Sequence, residues 1–548
     1  MKKKAVPVMV VLALILIITA VWAAAHFIQK YMPSKEQMDL TEYYGTAEGE
    51  IPLIFGTEIL EETGITAGDK TYIPLQAVYQ YLNKKFYWDA ENSQVLYALP
   101  EELVKVESGE AGTADVCVQG DTVFLSVDLV GQYTDIESEL VKDPDRLVVQ
   151  YQWKKKQVTA QKDTQVRYRG GIKAEILKEV PQGETLELIQ EMEDWDEVMT
   201  QDGLRGYVKK DQVSAPTETT QDRSFQEPVY TSITREQKIN LAWHQVTTHD
   251  ANATFASATK NIKGVNVISP TWYSIKDNQG NITSIASRTY VNLAHKKGME
   301  VWGLVDNFSD AIDTETVLSS LSARTRIINQ LMTQAEKVNL DGINVDFENL
   351  TEEAGVHFLE FLRELSIQCR TKNLVLSVDN PVPEEYTSHY DRAEQGEVVD
   401  YVIIMGYDEH YAGSEEAGSV ASLPWAEAGI QNTLDSVPAE KVIHGIPFYT
   451  RLWRTSAGIV TSEAIGMEAA QEVIEKYKVE TYWDKTTSQN YGTYDKGNDT
   501  YQIWLEDADS IAERVKLVSK YNLAGVAAWK LGFETSDIWT VISENMAE

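Results

Sequence analysis

The stretch 340–349, LDGINVDFEN, decides the predicted fold of this chain. Asn344, Asp346 and Glu348 occupy alternate positions in it and are separated by apolar residues. Because side chains along a β-strand repeat every two residues, these three polar side chains share one face. Buried polar groups cost free energy unless they are paired or take part in function. The stretch therefore predicts a buried strand with a functional face that ends at Glu348, and a buried hydrogen-bond ladder is the alternative.

Short apolar runs alternate with amphipathic segments over residues 230–548, on both sides of this strand. The eight strand candidates are Ile239–Trp243, Gly264–Ser269, Glu300–Val305, Gly342–Phe347, Leu374–Val378, Tyr401–Met405, Val442–Ile446 and Gly525–Trp529. Helix candidates such as Thr314–Val338 and Glu352–Thr371 lie between them. Eight strands that alternate with helices predict a (β/α)8 TIM barrel of the α/β class, whose chemistry lies at the C-terminal ends of the strands.

The same residues resemble the signature of glycoside hydrolase family 18, Asp-Gly-x-Asp-x-Asp-x-Glu. The segment 405–408, MGYD, is similar to the family's Met-x-Tyr-Asp at the end of the sixth strand, and Trp529 is similar to the tryptophan that floors the sugar site. The segments 267–273, VISPTWY, and 504–507, WLED, resemble the branch that contains spore-cortex N-acetylglucosaminidases. The resemblance covers residues 230–548.

The resemblance implies a retaining glycosidase that cleaves β-linked N-acetylglucosaminyl bonds of peptidoglycan or of chitin-like polymers. Its nucleophile would be the acetamido oxygen of the substrate, which forms an oxazolinium ion, so the family is an exception to the two-carboxylate scheme. The catalytic residues implied are Glu348 as acid and base, Asp346 as the group that orients the acetamido N–H, and Tyr407 as the group that holds the acetamido oxygen. The resemblance implies no metal and no other cofactor.

The substrate-binding residues that the resemblance implies are Asp341, Asn344, Met405, Asp408, Trp272 and Trp529. Asn344 departs from the family pattern, which usually has Asp at this position. Two neighbouring carboxylates share a proton and shift each other's pKa, whereas Asn does not ionise. We therefore expect Asn344 to donate a hydrogen bond to Asp346, and Asp346 to stay ionised without sharing a proton.

Other side chains at strand ends are weaker candidates for substrate contact. His244 ends the first strand candidate and His410 follows the sixth, so both are candidates for the mouth of the cleft. Tyr449 and Trp453 follow the seventh. Aromatic residues on strand-end loops are typical of sugar stacking, and packing under the loops is the alternative.

The N-terminus carries a pattern typical of export. Lys2–Lys4 precede an uncharged run whose core is Val8–Ala25, and a helix of 18 residues rises about 27 Å, close to the thickness of a bilayer's apolar core. We expect an uncleaved signal-anchor helix over residues 1–30, and a cleaved signal peptide is the alternative. By the positive-inside rule the rest of the chain then lies outside the cytoplasm, held at the cell membrane or, after cleavage, secreted.

Two small β-rich domains and a linker are predicted between this helix and the barrel. Residues 40–152 resemble the N-terminal stalk domain of copper amine oxidases through Ile73-Pro74-Leu75 and Trp88-Asp89, without a copper site because no His lies between residues 27 and 243. Residues 160–214 contain five short strand candidates and resemble a bacterial SH3 domain. Such domains often hold cell-wall peptides, and a spacer is the alternative. Residues 215–229, rich in Thr, Gln and Pro, are the predicted linker.

Composition narrows the function further. The chain has 49 Lys+Arg against 84 Asp+Glu and a net charge of −35, which argues against a nucleic-acid partner because phosphates are held by Lys and Arg. Two cysteines, Cys117 and Cys369, exclude a disulfide scaffold and a Cys-based zinc site, and we expect buried thiols. The partners expected are an N-acetylglucosamine-containing polysaccharide, the cell wall and the membrane. A non-catalytic barrel that binds wall or chitin, or an envelope scaffold, is the alternative to an enzyme.

Overall fold

Eight parallel strands close into the predicted barrel, and the first strand pairs with both the second and the eighth. The structure is a computed structural model that describes residues 5–47 and 49–546. The barrel strands are Ile239–His244, Val267–Ile275, Glu300–Asp306, Gly342–Asp346, Val375–Pro381, Tyr401–Met405, Val442–Pro447 and Gly525–Trp529. All eight strand predictions are confirmed, with ends that differ by a few residues.

The fourth strand faces as its alternation predicts. Ile343, Val345 and Phe347 pack outward into the core between strands and helices. Asn344 and Asp346 lie on the opposite face and are buried inside the barrel. The polar face of the stretch therefore points to the barrel axis, and the functional side chains begin at its upper end.

The helices that surround the barrel begin and end at residues with the local chemistry of caps. Ser320 and Thr351 cap the two longest by accepting hydrogen bonds from the N–H groups of Ala323 and Ala354. The α-helices are Phe255–Ala258, Arg288–Lys296, Thr314–Ser319, Leu321–Val338, Glu352–Thr371, Arg392–Val398, Leu423–Leu434, Met467–Tyr477, Ala508–Tyr521 and Ile538–Met546. The 3-10 helices are Asp250–Thr254, Glu385–Tyr390 and Ala439–Lys441.

Two further sheets and one added strand accompany the barrel. Between its seventh and eighth strands an antiparallel sheet contains Tyr449–Ser456, Ile459–Gly466, Thr481–Asp484, Gln489–Lys496 and Asp499–Trp504. The strand Ile282–Ser284 pairs with the second barrel strand. A three-stranded sheet contains Phe86–Asp89, Gln94–Ala98 and Leu103–Glu107.

The chain divides into two units, residues 1–86 with 106–228, and residues 87–105 with 229–548. Most of the three-stranded sheet thus belongs to the barrel's unit. There Tyr87 and Leu96 pack against Leu321, and the buried Arg324 donates to the Tyr87 hydroxyl at 3.2 Å. The barrel's unit therefore begins well before residue 230 in the sequence, because this hairpin packs on the barrel helices.

The other unit contains two seven-stranded sheets. The first sheet contains Glu50–Phe55, Glu58–Ala67, Lys70–Pro74, Val116–Gln119, Thr122–Ser126, Glu137–Val141 and Arg146–Gln150. The second contains Lys154–Thr159, Thr164–Arg167, Ile176–Val180, Thr185–Gln190, Trp195–Met199, Arg205–Lys209 and Thr217–Thr220. The helical elements are Ala5–Tyr31, Leu40–Tyr44, Leu75–Ala77, Val78–Leu82, Val127–Tyr133 and Lys210–Gln212.

Three features bear on the sequence expectations for this unit. The segment 215–229 is not wholly irregular, because Thr217–Thr220 pairs with Lys154–Gln157 as an edge strand, and threonine favours strands. Within the described residues one helix, over Met9–Tyr31, is long and apolar enough to cross a membrane. Lys2–Lys4, which carry the orientation prediction, lie outside the described residues. Cys117 is buried here and Cys369 in the barrel, and both are free thiols, as expected.

Candidate active site

Glu348 stands two residues beyond the fourth strand, and Asn307 from the neighbouring strand end holds its backbone. The N–H of Glu348 donates to Asn307 Oδ1 at 2.9 Å. Asn307 Nδ2 donates to the Glu348 carbonyl at 2.9 Å and to Thr314 Oγ1 at 3.0 Å. Two hydrogen bonds to the backbone of one residue fix the point from which its side chain extends. Asn307 therefore anchors Glu348 at the rim of the barrel.

The environment of Glu348 suits a carboxyl that donates a proton. Its side chain is half-buried. Burial, together with the carboxylates of Asp408 and Asp306, raises the pKa of Glu348 above its ordinary value. A carboxyl with a raised pKa keeps its proton closer to neutral pH, which is what a general acid requires.

Three aspartates lie side by side inside the barrel, on the third, fourth and fifth strands. Asp306 pairs in register with Asp346. Asp379 follows Val378, which pairs with Val345, so Asp379 stands next to Asp346 on the other side. Neighbouring strands are about 4.8 Å apart. The three carboxylates therefore form a row across the barrel, directly below Glu348.

Burial raises the pKa of each member of this row. For Asp346 the negative charges of Asp379, Glu348 and Asp306 raise the pKa further. The raised pKa of Asp346 contradicts the expectation that this carboxyl stays ionised. The carboxylate beside Asp346 belongs to the fifth strand, so the pattern of the fourth strand alone does not reveal it.

Asn344 makes a different hydrogen bond from the one expected. Its Nδ2 donates to Asp379 Oδ1 at 2.8 Å rather than to Asp346. Its Oδ1 accepts from Trp243 Nε1 and from Ser269 Oγ, both at 2.9 Å. Asn344 is fully buried, so the prediction that it binds substrate is corrected: its amide is used within the barrel.

The end of the sixth strand presents Met405, Tyr407 and Asp408 next to this row. The N–H of Tyr407 donates to the Met405 carbonyl at 2.8 Å. Burial, together with the charges of Asp346 and Asp379, raises the pKa of Tyr407 well above its ordinary value. Its hydroxyl therefore remains protonated and able to donate a hydrogen bond.

Asp408 is held by a tyrosine that the sequence suggested only for stacking. Its backbone is left-handed, with φ of 65°. The Tyr449 hydroxyl donates to Asp408 Oδ1 at 2.5 Å, and the rings of Tyr449 and Tyr407 meet edge to face with centroids 6.2 Å apart. Tyr449 thus positions both polar residues at this strand end.

Trp529 ends the eighth strand and is half-buried. Its ring meets that of Trp243 with centroids 6.1 Å apart. It packs, as Tyr407 does, against the apolar core inside the barrel. This places an aromatic surface at the same end of the barrel as the carboxylates, as expected for the floor of a sugar site.

Two predicted substrate-binding residues lie elsewhere and are corrected. Asp341 precedes the fourth strand at the opposite end of the barrel, where its Oδ2 accepts from the Val301 N–H at 2.8 Å and lies 2.7 Å from His295 Nε2. Trp272 is buried in the outer core and donates from Nε1 to Asn252 Oδ1 at 2.8 Å. Neither residue reaches the carboxylate row.

The weaker candidates are occupied in packing. His244 is buried and pairs through Nδ1 with the Tyr290 hydroxyl at 2.8 Å, and burial lowers the pKa of His244 to about 4. Trp453 is buried and donates to the Gly418 carbonyl. His410 Nδ1 lies 2.8 Å from the Ser419 carbonyl. His244 and Trp453 therefore pack under the loops, which was the alternative to sugar contact.

Sequence reasoning missed Asp306, Asn307 and Asp379. Asp306 directly follows the third strand candidate, and Asp379 directly follows the fifth. Because the fold places chemistry at strand ends, the residue after each predicted strand was a usable signal. Asn307 carried no such signal, since its role is set by a contact with the next strand.

Three comparisons relate this geometry to known proteins. Residues 206–534 match the family Glycosyl hydrolases family 18. The chain is 30% identical over 303 residues to the uncharacterized glycosylase YvbX of Bacillus subtilis (strain 168), covering 53% of this chain and 87% of that protein. It is 26% identical over 246 residues to the cortical fragment-lytic enzyme of the same organism, covering 43% of this chain and 57% of that enzyme.

Among solved structures, the chitinase from Chromobacterium violaceum ATCC 12472 is similar with a TM-score of 0.52 and 24% identity, covering 57% of this chain and 100% of that one. At this identity the similarity shows the shared fold alone. The family match is stronger, because it spans more than half of the chain and includes all eight barrel strands and the carboxylate row. This protein therefore belongs to glycosyl hydrolases family 18 and is a glycoside hydrolase.

Proposed function

We propose that this protein is a retaining hydrolase of β-linked N-acetylglucosaminyl bonds in cell-wall peptidoglycan, and that it uses the acetamido group of its substrate as the nucleophile. The observation that carries the proposal is the placement of Glu348 at the rim, directly above the buried Asp346. Asn307 holds the backbone of Glu348 by two hydrogen bonds. Tyr407 stands near Glu348 and Asp346, at the end of the sixth strand.

In the first step the acetamido oxygen attacks the anomeric carbon while the bond to the leaving oxygen breaks. Glu348 gives its proton to the leaving oxygen and becomes a carboxylate. Asp346 accepts a hydrogen bond from the acetamido N–H and stabilises the positive charge of the oxazolinium ion. The Tyr407 hydroxyl donates to the acetamido oxygen and keeps it aligned for attack.

In the second step water attacks the anomeric carbon from the side that the leaving group vacated. The Glu348 carboxylate takes a proton from this water, the bond to the acetamido oxygen breaks, and the acetamido group is restored. The two inversions at the same carbon retain the anomeric configuration. Glu348 ends the cycle protonated, as it began.

Peptidoglycan is favoured over chitin by two observations outside the site and by one prediction. The chain is similar to a cortical fragment-lytic enzyme. It carries an apolar helix over Met9–Tyr31 that suits export or anchoring. The predicted SH3-like domain at 160–214, if it binds wall peptides, would hold the barrel near its substrate. We propose a membrane-anchored protein that acts outside the cytoplasm, with an anchor at 1–30, small domains within 40–152 and 160–214, and a catalytic domain at 230–548 that residues 87–105 complete. The linker at 215–229 contributes the edge strand Thr217–Thr220 to the second sheet.

The test compares wild type with Glu348→Gln, using the full-length protein on purified peptidoglycan and on chitooligosaccharides. We expect wild type to release fragments that end in N-acetylglucosamine and that first appear as the β anomer. We expect Glu348→Gln to lower kcat by about 10²- to 10⁴-fold, because it cannot donate the proton. Mass spectrometry identifies the fragments, and NMR identifies the anomer.

Glu353→Gln is the matched control, since it makes the same change on an exposed helical position. De-N-acetylated oligosaccharides should resist cleavage, because they lack the nucleophile. Equal sugar release by wild type and Glu348→Gln would overturn the proposed mechanism. Binding of both substrates without release by wild type would favour the non-catalytic alternative.

A further inference from the structure

Asn344 stands where the family signature has a second aspartate, and its side chain forms hydrogen bonds to three other strands of the barrel. Its Oδ1 accepts two hydrogen bonds, from the first and second strands, and its Nδ2 donates to Asp379 Oδ1 at 2.8 Å on the fifth. The two bonds to Oδ1 orient the amide, so that Nδ2 can only face Asp379. The hydrogen bond that Asn344 donates is therefore accepted by the carboxylate of Asp379.

Asp379 itself stands beside Asp346. The two residues directly follow Val378 and Val345, which are paired in register between parallel strands. Their side chains therefore point into the barrel at the same level. Both are buried, Asp379 almost completely. Among the described residues, Asp346 Oδ1 is buried and has no hydrogen-bond partner.

We propose that Asp379 is the carboxylate with which Asp346 shares a proton, so that the fifth strand supplies in this chain what an aspartate at position 344 supplies in the family signature. This inference rests on the proposed function, because it concerns how Asp346 is prepared for the acetamido group. Asp379 is a positioning residue: it acts on Asp346 and does not itself touch the substrate.

Asp346 and Asp379 hold one proton between them through the reaction. Two adjacent carboxylates in a buried site cannot both ionise at low cost, so the pair holds one proton. Because Asp379 Oδ1 accepts from Asn344, the proton of the pair lies on Asp379 Oδ2 or on Asp346. When the acetamido N–H arrives, Asp346 accepts its hydrogen bond as a carboxylate and the proton rests on Asp379. It returns after the oxazolinium ion opens.

The groups that face the pair explain why sharing is favoured. Asp306 lies beside Asp346 on the third strand, Glu348 lies above, and Tyr407 faces the pair from the sixth strand. The first and second strands contribute the neutral Trp243 and Ser269. Burial and these like charges raise the pKa of both aspartates, which is the direction that retains a proton.

The first test is the pH profile of kcat/KM on a chitooligosaccharide for wild type and Asp379→Asn. Replacing the carboxyl at position 379 lowers the pKa of Asp346, because the nearest like charge is removed. The acidic limb of the pH profile should therefore move to lower pH, by about one unit for a near neighbour. Asp379→Ala should also lower kcat by about tenfold or more with little change in KM, because Asp346 loses the group that orients it.

The exchange variant Asn344→Asp/Asp379→Asn distinguishes proton sharing from a structural role. It returns the second carboxylate to the fourth strand, so the acidic limb of the pH profile should move back toward its position in wild type. Asp435→Asn, an exposed position with the same charge change, should leave the profile unchanged. A wild-type profile in Asp379→Asn, or an exchange variant that keeps the shifted profile, would overturn the proposal.

A second measurement does not depend on turnover. A raised carboxyl pKa in the folded protein gives stability that is present at acid pH and is lost as pH rises above the ordinary value of 3.8. Wild type should therefore lose more Tm between acid and neutral pH than Asp379→Asn loses. If wild type does not cleave any substrate, the proposed function fails, while equal losses of Tm in wild type and Asp379→Asn would separately overturn the shared proton.

Discussion

The anchoring of Glu348 by Asn307 leads to a prediction that separates local positioning from general stability. Asn307→Ala removes the acceptor for the Glu348 N–H and the donor to its carbonyl, both at 2.9 Å. Each such hydrogen bond contributes about 1 kcal/mol, and leaving a half-buried N–H without its acceptor adds to the loss. We expect the free energy of unfolding to fall by about 1–3 kcal/mol.

The effect on catalysis should be larger than this loss of stability suggests. Glu348 stands past the end of its strand, so these two bonds are what hold it at the rim. A displacement of about 1 Å in a catalytic group can cost about 10²-fold in rate. We expect Asn307→Ala to lower kcat on chitooligosaccharides by about 10- to 100-fold, with a smaller change in KM.

The barrel contains a matched control at its opposite end. Asn266 Oδ1 accepts from the Asn240 N–H and its Nδ2 donates to the Lys238 carbonyl, both at 2.8 Å. Asn266→Ala therefore removes the same two kinds of backbone bond from a half-buried asparagine, far from Glu348. Urea unfolding should show similar losses for the two variants, whereas only Asn307→Ala should lose kcat.

The result that refutes this reasoning is specific. If Asn307→Ala and Asn266→Ala lose equal stability and both keep the wild-type kcat, Glu348 does not depend on Asn307 for its position. Thr314→Val gives a further check, since it removes the acceptor of the third Asn307 bond and leaves the two bonds to Glu348 in place. Its kcat should stay within about twofold of wild type.

Three further predictions concern other parts of the barrel. Tyr449→Phe removes the 2.5 Å hydrogen bond to Asp408, a bond of about 1.5–3 kcal/mol, so kcat/KM should fall by roughly tenfold or more; an unchanged kcat/KM would speak against a role for Asp408. Burial, with the charge of Arg514 nearby, lowers the pKa of His444 from 6.5 to about 3, so the folded protein loses up to about 1.4 kcal/mol for each pH unit below 6.5. His444→Leu should remove this part of the acid dependence of Tm; equal slopes would contradict it. Arg324→Met leaves the buried Glu364 without the cation 2.8 Å away and should cost about 3–5 kcal/mol in urea unfolding; a loss below about 1 kcal/mol would show that water or another group replaces the pair.

Much of the barrel could be predicted, because each strand has its own pattern of apolar residues within a short segment of the sequence. The alternation over 340–349 assigns Asn344 and Asp346 to the inner face, since successive side chains of a strand point to opposite sides. The structure agrees, with Val345 outside and its two neighbours inside. The number of strands followed from the same kind of pattern, repeated eight times.

Errors arose where one residue of a motif was given a role by position alone. Asp341 belongs to the signature stretch but lies at the far end of its strand, about five residues from the rim, where it pairs with His295 and the Val301 N–H. Trp272 lies on the long second strand and faces the helices. In both cases the direction and level of the side chain decided the outcome, and a motif does not report either.

By itself, the sequence determined the fold class, the inward face of the fourth strand and the identity of Glu348, Asp346 and Tyr407 as candidates. The fold class and the inward face depend on periodicity within single segments, and the candidate residues depend on the resemblance of two short segments to the family signature. Only the tertiary structure decided which partners those residues have: Asn307 beneath Glu348, Asp379 beside Asp346, and Asn344 turned toward the fifth strand. The physical reason is that pKa and position depend on charges and hydrogen bonds a few ångströms away, and closing the barrel brings together residues that are tens of positions apart in the chain.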